Sequence, residues 1–204
     1  MISLINYGSG NLRSVGKAFE QVGASVRIAD NPAGLNGANA VVLPGVGAFG
    51  DCVRNLHERG LWESLAEWIR AGRPFLGICL GYQLLFKESE ESPGVSGFGF
   101  LKGRVARFPA RPGLKVPHMG WNQLDLVGSD NPLWGGLGPS PDVYFVHSYY
   151  PVPDDPGIVS ARCTYGEPFA AAVRLGALHA CQFHPEKSQE TGLTILRNFV
   201  ATLP

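Results

Sequence analysis

Pro74-Phe75-Leu76-Gly77-Ile78-Cys79-Leu80-Gly81 is the stretch that decides the fold. Phe75, Leu76 and Ile78 form a short apolar run behind a proline, the pattern of a strand buried on both faces. Leu80 to Phe86 reads as the helix that follows. A strand passing through Gly-x-Cys-x-Gly into a helix is the thiol form of a nucleophile elbow. Such a turn lifts the side chain out of the sheet, and its glycines let backbone pass close by without a Cβ. The start of the helix favours a thiolate and offers backbone N–H groups to an oxyanion. A buried core cysteine is the competing reading. Its place at the C-terminal end of a parallel strand, where open α/β sheets put their sites, favours a functional Cys79.

Outward from that stretch the pattern repeats. Ile2 to Asn6, Ser25 to Ile28 and Ala40 to Leu43 read as strands, the last stopping at Pro44. Leu12 to Val22 has Leu12, Val15, Phe19 and Val22 at helical spacing, and Phe49 to Ala71 reads as two helices broken near Gly60. Strands alternating with helices imply a mostly parallel central sheet with helices on both faces. The second half is strand-rich, with segments at Val105–Phe108, Gln123–Val127, Val143–Val146, Ile158–Thr164, Phe169–Leu175 and Ala177–Phe183. These read as antiparallel additions, closed by an amphipathic helix over Glu190–Leu203. The expected class is a single α/β domain spanning residues 1–204.

Composition excludes other classes. Lys plus Arg and Asp plus Glu are 17 each, so there is no basic surplus for nucleic acid. Charged residues are 17% of the chain, against about 25% in soluble domains, and 27 glycines and 16 prolines make up about a fifth of it. A surface so sparsely charged is poorly protected against association and suggests a face that is covered. No apolar run reaches the ~20 residues of a membrane span, and the N-terminus lacks a basic leader, so a cytoplasmic location is expected. Cys52, Cys79, Cys163 and Cys181 form no C-x-x-C pair. Neither metal nor organic cofactor is expected.

A nucleophilic thiol needs a base. Of five histidines, His57 lies in a charged helical stretch and His179 in an apolar strand. His184 ends a strand and precedes Pro185-Glu186, where the proline constrains the backbone and a carboxylate two residues on could orient the imidazole. Cys79, His184 and Glu186 together make a specific constellation. Pro44-Gly45-Val46-Gly47 follows the neighbouring strand and reads either as an oxyanion donor facing Cys79 or as a plain strand-to-helix turn.

With Gly77-Ile78-Cys79-Leu80-Gly81-Tyr82-Gln83 and His184-Pro185-Glu186, the chain resembles the class I, or triad, glutamine amidotransferases, which have a flavodoxin-like fold. Further motifs narrow the likeness to the glutaminase subunits of imidazole glycerol phosphate synthase. They are Asn6-Tyr7-Gly8-Ser9-Gly10-Asn11-Leu12-Arg13-Ser14, Pro44–Gly47, Pro117-His118-Met119-Gly120-Trp121-Asn122, Tyr144-Phe145-Val146-His147-Ser148-Tyr149 and Gln182–Ser188. Tyr82 departs from the methionine usual there, which touches packing beside the elbow.

The resemblance implies that Cys79 attacks the glutamine amide and that His184, oriented by Glu186, moves the protons. Leu80, Val46 and Gly47 would supply the oxyanion amides, and Gln83, Ser148 and Tyr149 would bind glutamine. Glu91 is a candidate for the α-amino group, against its reading as part of the solvated run Lys87–Glu91. The resemblance also implies a (β/α)8-barrel cyclase partner in a heterodimer, met by Asn11, Arg13, Met119, Trp121 and Lys187. That partner would use the ammonia to make imidazole glycerol phosphate and aminoimidazole carboxamide ribotide in histidine biosynthesis. The peptide near Val46 would turn when partner and nucleotide bind, leaving the isolated chain almost inactive. The alternatives are another class I glutaminase subunit, a stand-alone Cys-His-Glu γ-glutamyl hydrolase or peptidase, or a non-catalytic module of the same fold.

Overall fold

The computed structural model describes residues 1–204 apart from Ser9 and Ser129, so the Ser9 position of the opening motif lies outside the described residues. The first half runs β1 (Ile2–Ile5), α1 (Leu12–Gln21), β2 (Val26–Ala29), β3 (Ala40–Gly45), α2 (Phe49–Glu58), α3 (Leu61–Arg70), β4 (Phe75–Cys79) and α4 (Leu80–Gln83). The second half adds β5 (Phe86–Ser89), β6 (Leu101–Arg107), β7 (His118–Gln123), β8 (Asp125–Leu126) and β9 (Asp142–His147). It continues with β10 (Tyr149–Pro153), β11 (Val159–Tyr165), β12 (Glu167–Leu175), β13 (Leu178–Cys181) and α5 (Gln189–Ala201).

Eight strands form the main sheet in the order β2-β1-β3-β4-β13-β12-β11-β8. The pairs from β2 through β13 are parallel, and β12, β11 and β8 are added antiparallel. Strand period decides which core each side chain enters. Ile2, Leu4, Val42, Leu76 and Ile78 pack with Val15, Phe19, Ile195 and Phe199 of α1 and α5. Their alternates Ile5, Val41, Leu43 and Phe75 pack with Leu56, Leu61, Leu65 and Trp68 of α2 and α3 on the opposite face. Burying each such side chain contributes roughly 1.5–3 kcal/mol.

One connection positions the site. β13 arrives from the far end of the chain and lies parallel to β4, with Leu178 opposite Phe75 and Cys181 opposite Ile78. The segment leading to His184 therefore runs beside the strand that ends in Cys79. Across from it, β7 and β9 pair as a separate two-stranded ribbon, and β10, β6 and β5 form a small third sheet.

Three local expectations differ from the structure. The helix after Cys79 stops at Gln83, because Leu84, Leu85 and Phe86 are fully buried and the chain turns into β5, parallel to β6. Strand β3 continues through Pro44 to Gly45. The Val41 N–H points toward β4, bonding Pro74 O, so the alternate position Pro44 would have pointed its donor toward β1. Pairing with β1 ends at Val42, so the missing N–H breaks no ladder bond. Finally, the expected strand Gln123–Val127 is the end of β7 and the short β8, and His118–Gln123 and Tyr149–Pro153 are strands not expected from the pattern.

Candidate active site

Cys79 sits at the junction of β4 and α4 with φ 54° and ψ −106°, a conformation costly for a residue with a side chain. The surrounding glycines make it attainable. A Cβ on Gly77 would lie 2.7 Å from Gly81 O, and one on Gly81 would collide with the Leu43 carbonyl of β3. The thiol is 7% exposed and accepts a 3.4 Å hydrogen bond from Gln182 Nε2.

His184 enters from β13. Its backbone N–H donates to Tyr144 O at 2.9 Å, and the Ser188 hydroxyl donates to its carbonyl at 2.7 Å. Ser188 Oγ also accepts the Tyr144 N–H at 3.0 Å, so β9 and the turn Pro185–Lys187 clamp the histidine from both sides. The imidazole Nδ1 lies 2.8 Å from Glu186 Oε1, with both side chains almost fully buried. A carboxylate only accepts, so Nδ1 carries the proton and Nε2 is left for chemistry. Nε2 is buried and faces the Cys79 sulfur, its charged and hydrogen-bonding neighbour. Burial alone would push the imidazole down, but the Cys79 thiolate and the Glu186 carboxylate outweigh it and hold the ring well above its ordinary value. The fold thus brings Cys79, His184 and Glu186 together.

The thiol opens into a cleft of about 440 Å³. Val46 and Gly47 from the β3–α2 turn form one wall, with Leu80 and Gln83 of α4 beside them. Glu91, Ser148, Tyr149 and Lys187 complete the set of expected residues that the fold gathers there. Glu91 also caps a helix. The N-cap position of α2 is Ala48, whose side chain cannot cap the helix, and Glu91 Oε2 instead accepts the Phe49 N–H at 2.8 Å while Ser92 Oγ accepts the Gly50 N–H at 3.0 Å. Gln83 donates to Tyr149 O at 3.0 Å and to Gln182 Oε1 at 3.1 Å.

A family model for class I glutamine amidotransferases matches residues 3–203. The chain belongs to this family. Among curated relatives it is 53% identical to "Imidazole glycerol phosphate synthase subunit HisH" of Syntrophotalea carbinolica, over 98% of both chains. It is 54% identical to the protein of the same description from Thermosynechococcus vestitus, over 98% of this chain and 96% of that one. The Methanothermobacter thermautotrophicus protein is 52% identical over 98% of each. Among solved structures, PurLQS from Thermotoga maritima aligns with a TM-score of 0.76 at 20% identity, over 98% of this chain and 97% of that one. A structure described as a glutamine amidotransferase aligns with a TM-score of 0.73 at 23% identity, over 98% and 100%. Both share the fold.

Around the cleft of this amidotransferase the remaining candidates fall as strand and helix geometry require. Met119 and Trp121 alternate on the outer face of β7, 62% and 48% exposed, with Trp121 edge-on to Tyr144. Lys187 extends over the same Tyr144 ring, 5.7 Å from its centroid. Half-buried Asn11 and exposed Arg13 stand at the start of α1, which packs near the turn carrying Lys187. Tyr82 is fully buried, edge-on to Phe86. His57 is exposed and stacked on Trp62, and His179 packs edge-on to Phe199, so neither belongs to the site.

Two groups escaped the sequence reading. Gln182 stands two residues before His184, just past the end of β13, and is 0% exposed. A buried polar residue at that spacing was its signal. His147 lines the cleft and pairs with His118 at 3.1 Å. Nothing in the spacing of those two histidines announces the contact. Among the described residues no group of three or more His, Cys, Asp or Glu side chains is placed to hold a metal ion, and no helix is long and apolar enough to cross a membrane.

Proposed function

We propose that this chain is the glutaminase subunit of an imidazole glycerol phosphate synthase, a cytoplasmic enzyme of histidine biosynthesis. The observation that carries the chemistry is the buried line from Glu186 through His184 to Cys79 at the floor of an open cleft. The full-length likeness to the relatives above supports the choice of pathway.

The Cys79 thiolate attacks the glutamine side-chain carbonyl carbon. The oxyanion that forms lies near the Leu80 amide, which as the first residue of α4 has no partner within that helix, and the amides of Val46 and Gly47. His184 gives its Nε2 proton to the departing nitrogen, the C–N bond breaks, and ammonia leaves a thioester on Cys79. His184 then takes a proton from water, the hydroxide adds to the thioester, and glutamate departs as the thiolate returns. Glu186 holds the imidazole in the tautomer both half-reactions need and stabilises its charge. Glu91 receives the substrate α-ammonium, while Gln83, Ser148 and Tyr149 frame the chain of the amino acid.

Ammonia released in an open cleft escapes to solvent unless the cleft is covered. Val46 is an exposed apolar side chain of its lining, and Met119 and Trp121 are exposed on the β7 strand that follows its lining residue Pro117. A (β/α)8-barrel cyclase subunit seated there, touching Asn11, Arg13 and Lys187 as well, receives the ammonia. The deciding experiment is a glutaminase assay with and without that subunit and its nucleotide. Glutamate release is expected to be very low for the chain alone and to rise strongly with both. Full activity of the chain alone would overturn the reading in favour of a free-standing hydrolase.

A further inference from the structure

Cys79 has a hydrogen-bond partner that takes no part in the proton transfers above, the side chain of Gln182. Which end of that amide faces the sulfur matters. A nitrogen donates to a thiolate, whereas an oxygen would repel it. The orientation follows from the network rather than from the shape of the amide.

Tyr149 O is a carbonyl and only accepts, so the Gln83 nitrogen must be the end that meets it at 3.0 Å. The second hydrogen of that nitrogen goes to Gln182 at 3.1 Å, which must present its oxygen. The Gln182 nitrogen is thereby turned to Cys79 Sγ at 3.4 Å. Reversing Gln182 would set two donors against each other and an acceptor against the sulfur. Gln182 is fully buried and Gln83 nearly so, so water cannot repair the reversed state.

The same carbonyl is held from its other side. His147 Nδ1 lies 2.8 Å from Tyr149 O and must carry the proton, so His147 Nε2 accepts. His118 Nδ1 then donates to it at 3.1 Å, and His118 Nε2 accepts from Asn122 Nδ2 at 3.2 Å. Asn122 is itself fixed, its oxygen accepting the Gln123 N–H at 2.8 Å and its nitrogen donating to Thr164 O at 3.0 Å. Every link is satisfied in one direction only, with both imidazoles neutral. Burial holds them so, pushing His118 down to about 4 and His147 to about 3. Stacking of His118 on Tyr165 and Phe145 fixes the ring plane.

We infer that Gln182 is a further catalytic residue: its amide N–H donates to the Cys79 sulfur, and the Tyr149 carbonyl, anchored by the positioning pair His147 and His118, sets which end of that amide faces the thiol. The bond is strongest when the sulfur carries full charge. It thus supports the thiolate before attack and again when the sulfur is expelled from the thioester. No proton passes through Gln182. This inference rests on the glutaminase reading, but its first readout does not need glutamine.

The test measures the rate of Cys79 alkylation by iodoacetamide at one neutral pH, then glutamine turnover in the complex with the barrel subunit, with near-UV circular dichroism as the folding check. Gln182→Met keeps the volume and removes the donor, and Gln182→Glu keeps the shape and offers only acceptors. Both are expected to slow alkylation about 10-fold or more, on the scale of a hydrogen bond to a charged group. They should lower kcat for glutamine with KM changed less than about 2-fold. His118→Phe, which keeps the packing and cuts the chain, is expected to slow alkylation about 2- to 3-fold, and His118→Gln, which can donate and accept, to restore it. Should Gln182→Met fail the folding check, Gln182→Glu carries the same comparison. Wild-type alkylation rates in a folded Gln182 variant would overturn the inference. An unmodified complex that releases no glutamate would instead overturn the glutaminase reading.

Discussion

His184 and His147 are both buried beside the same cleft, close enough to feel each other's charge, and they are driven in opposite directions. Burial pushes His147 down to about 3, and the hydrogen bond to the Tyr149 carbonyl offsets only part of that. His184 has a carboxylate on one nitrogen and a thiolate facing the other, and its proton is held tightly. Burial amplifies whatever faces a ring, so two similar histidines become a structural dipole and a proton carrier.

The largest expected break in this comparison is Cys79→Ala. It removes the thiolate that holds the His184 proton and abolishes glutamine-dependent synthesis by the complex. On the proposed division of labour, ammonia-dependent synthesis at the partner's site should continue. Loss of both in a complex that still assembles would contradict this division of labour.

Glu186→Gln comes next. It keeps the shape but can present an N–H to Nδ1, reversing the tautomer. Glutamine kcat should fall about 10³- to 10⁴-fold, as when the orienting acid of a triad is made neutral. The competing outcome, a rise in KM alone, would mean that Glu186 shapes the cleft rather than the histidine.

The smallest effect concerns stability in acid. The unfolded chain protonates its histidines near 6.5, whereas the folded chain keeps His118 and His179 neutral to about 4 and His147 to about 3. The unfolded state therefore binds more protons as pH falls from 6.5 toward 4, and stability drops across that window by up to about 1.4 kcal/mol per pH unit for each histidine. His184 is shifted upward and acts above 6.5, outside this window. Urea midpoints at pH 7 and 5 should show the loss. His179→Phe, at a site packed against Phe199, should reduce it by about one proton's share, and an unchanged slope would exclude His179 from the effect.

Much of this was legible from the residues. The parallel half could be read because apolar runs of strand length alternate with helical spacing, and both faces of its sheet are covered. The elbow and the His184–Glu186 pair are local motifs, so short stretches sufficed to name them. The second half hid its pairing. Gly120 interrupts β7, Pro151 and Pro153 interrupt β10, and the apolar run Leu84–Phe86 suits a buried strand as well as a helix. Gln182 and the two neutral histidines were harder still. Their meaning lies in partners such as Tyr149, Gln83 and Asn122, which are brought together only by tertiary folding.

The position of β13 has a consequence for the order in which this enzyme comes into being. Cys79 and Gln182 are 103 residues apart, and the base follows at His184. A chain still emerging from the ribosome can shape its elbow long before the strand that supplies base and donor has been made. On the glutaminase reading, such a chain holds a thiol without its proposed acid–base partner until the final strand is laid beside β4.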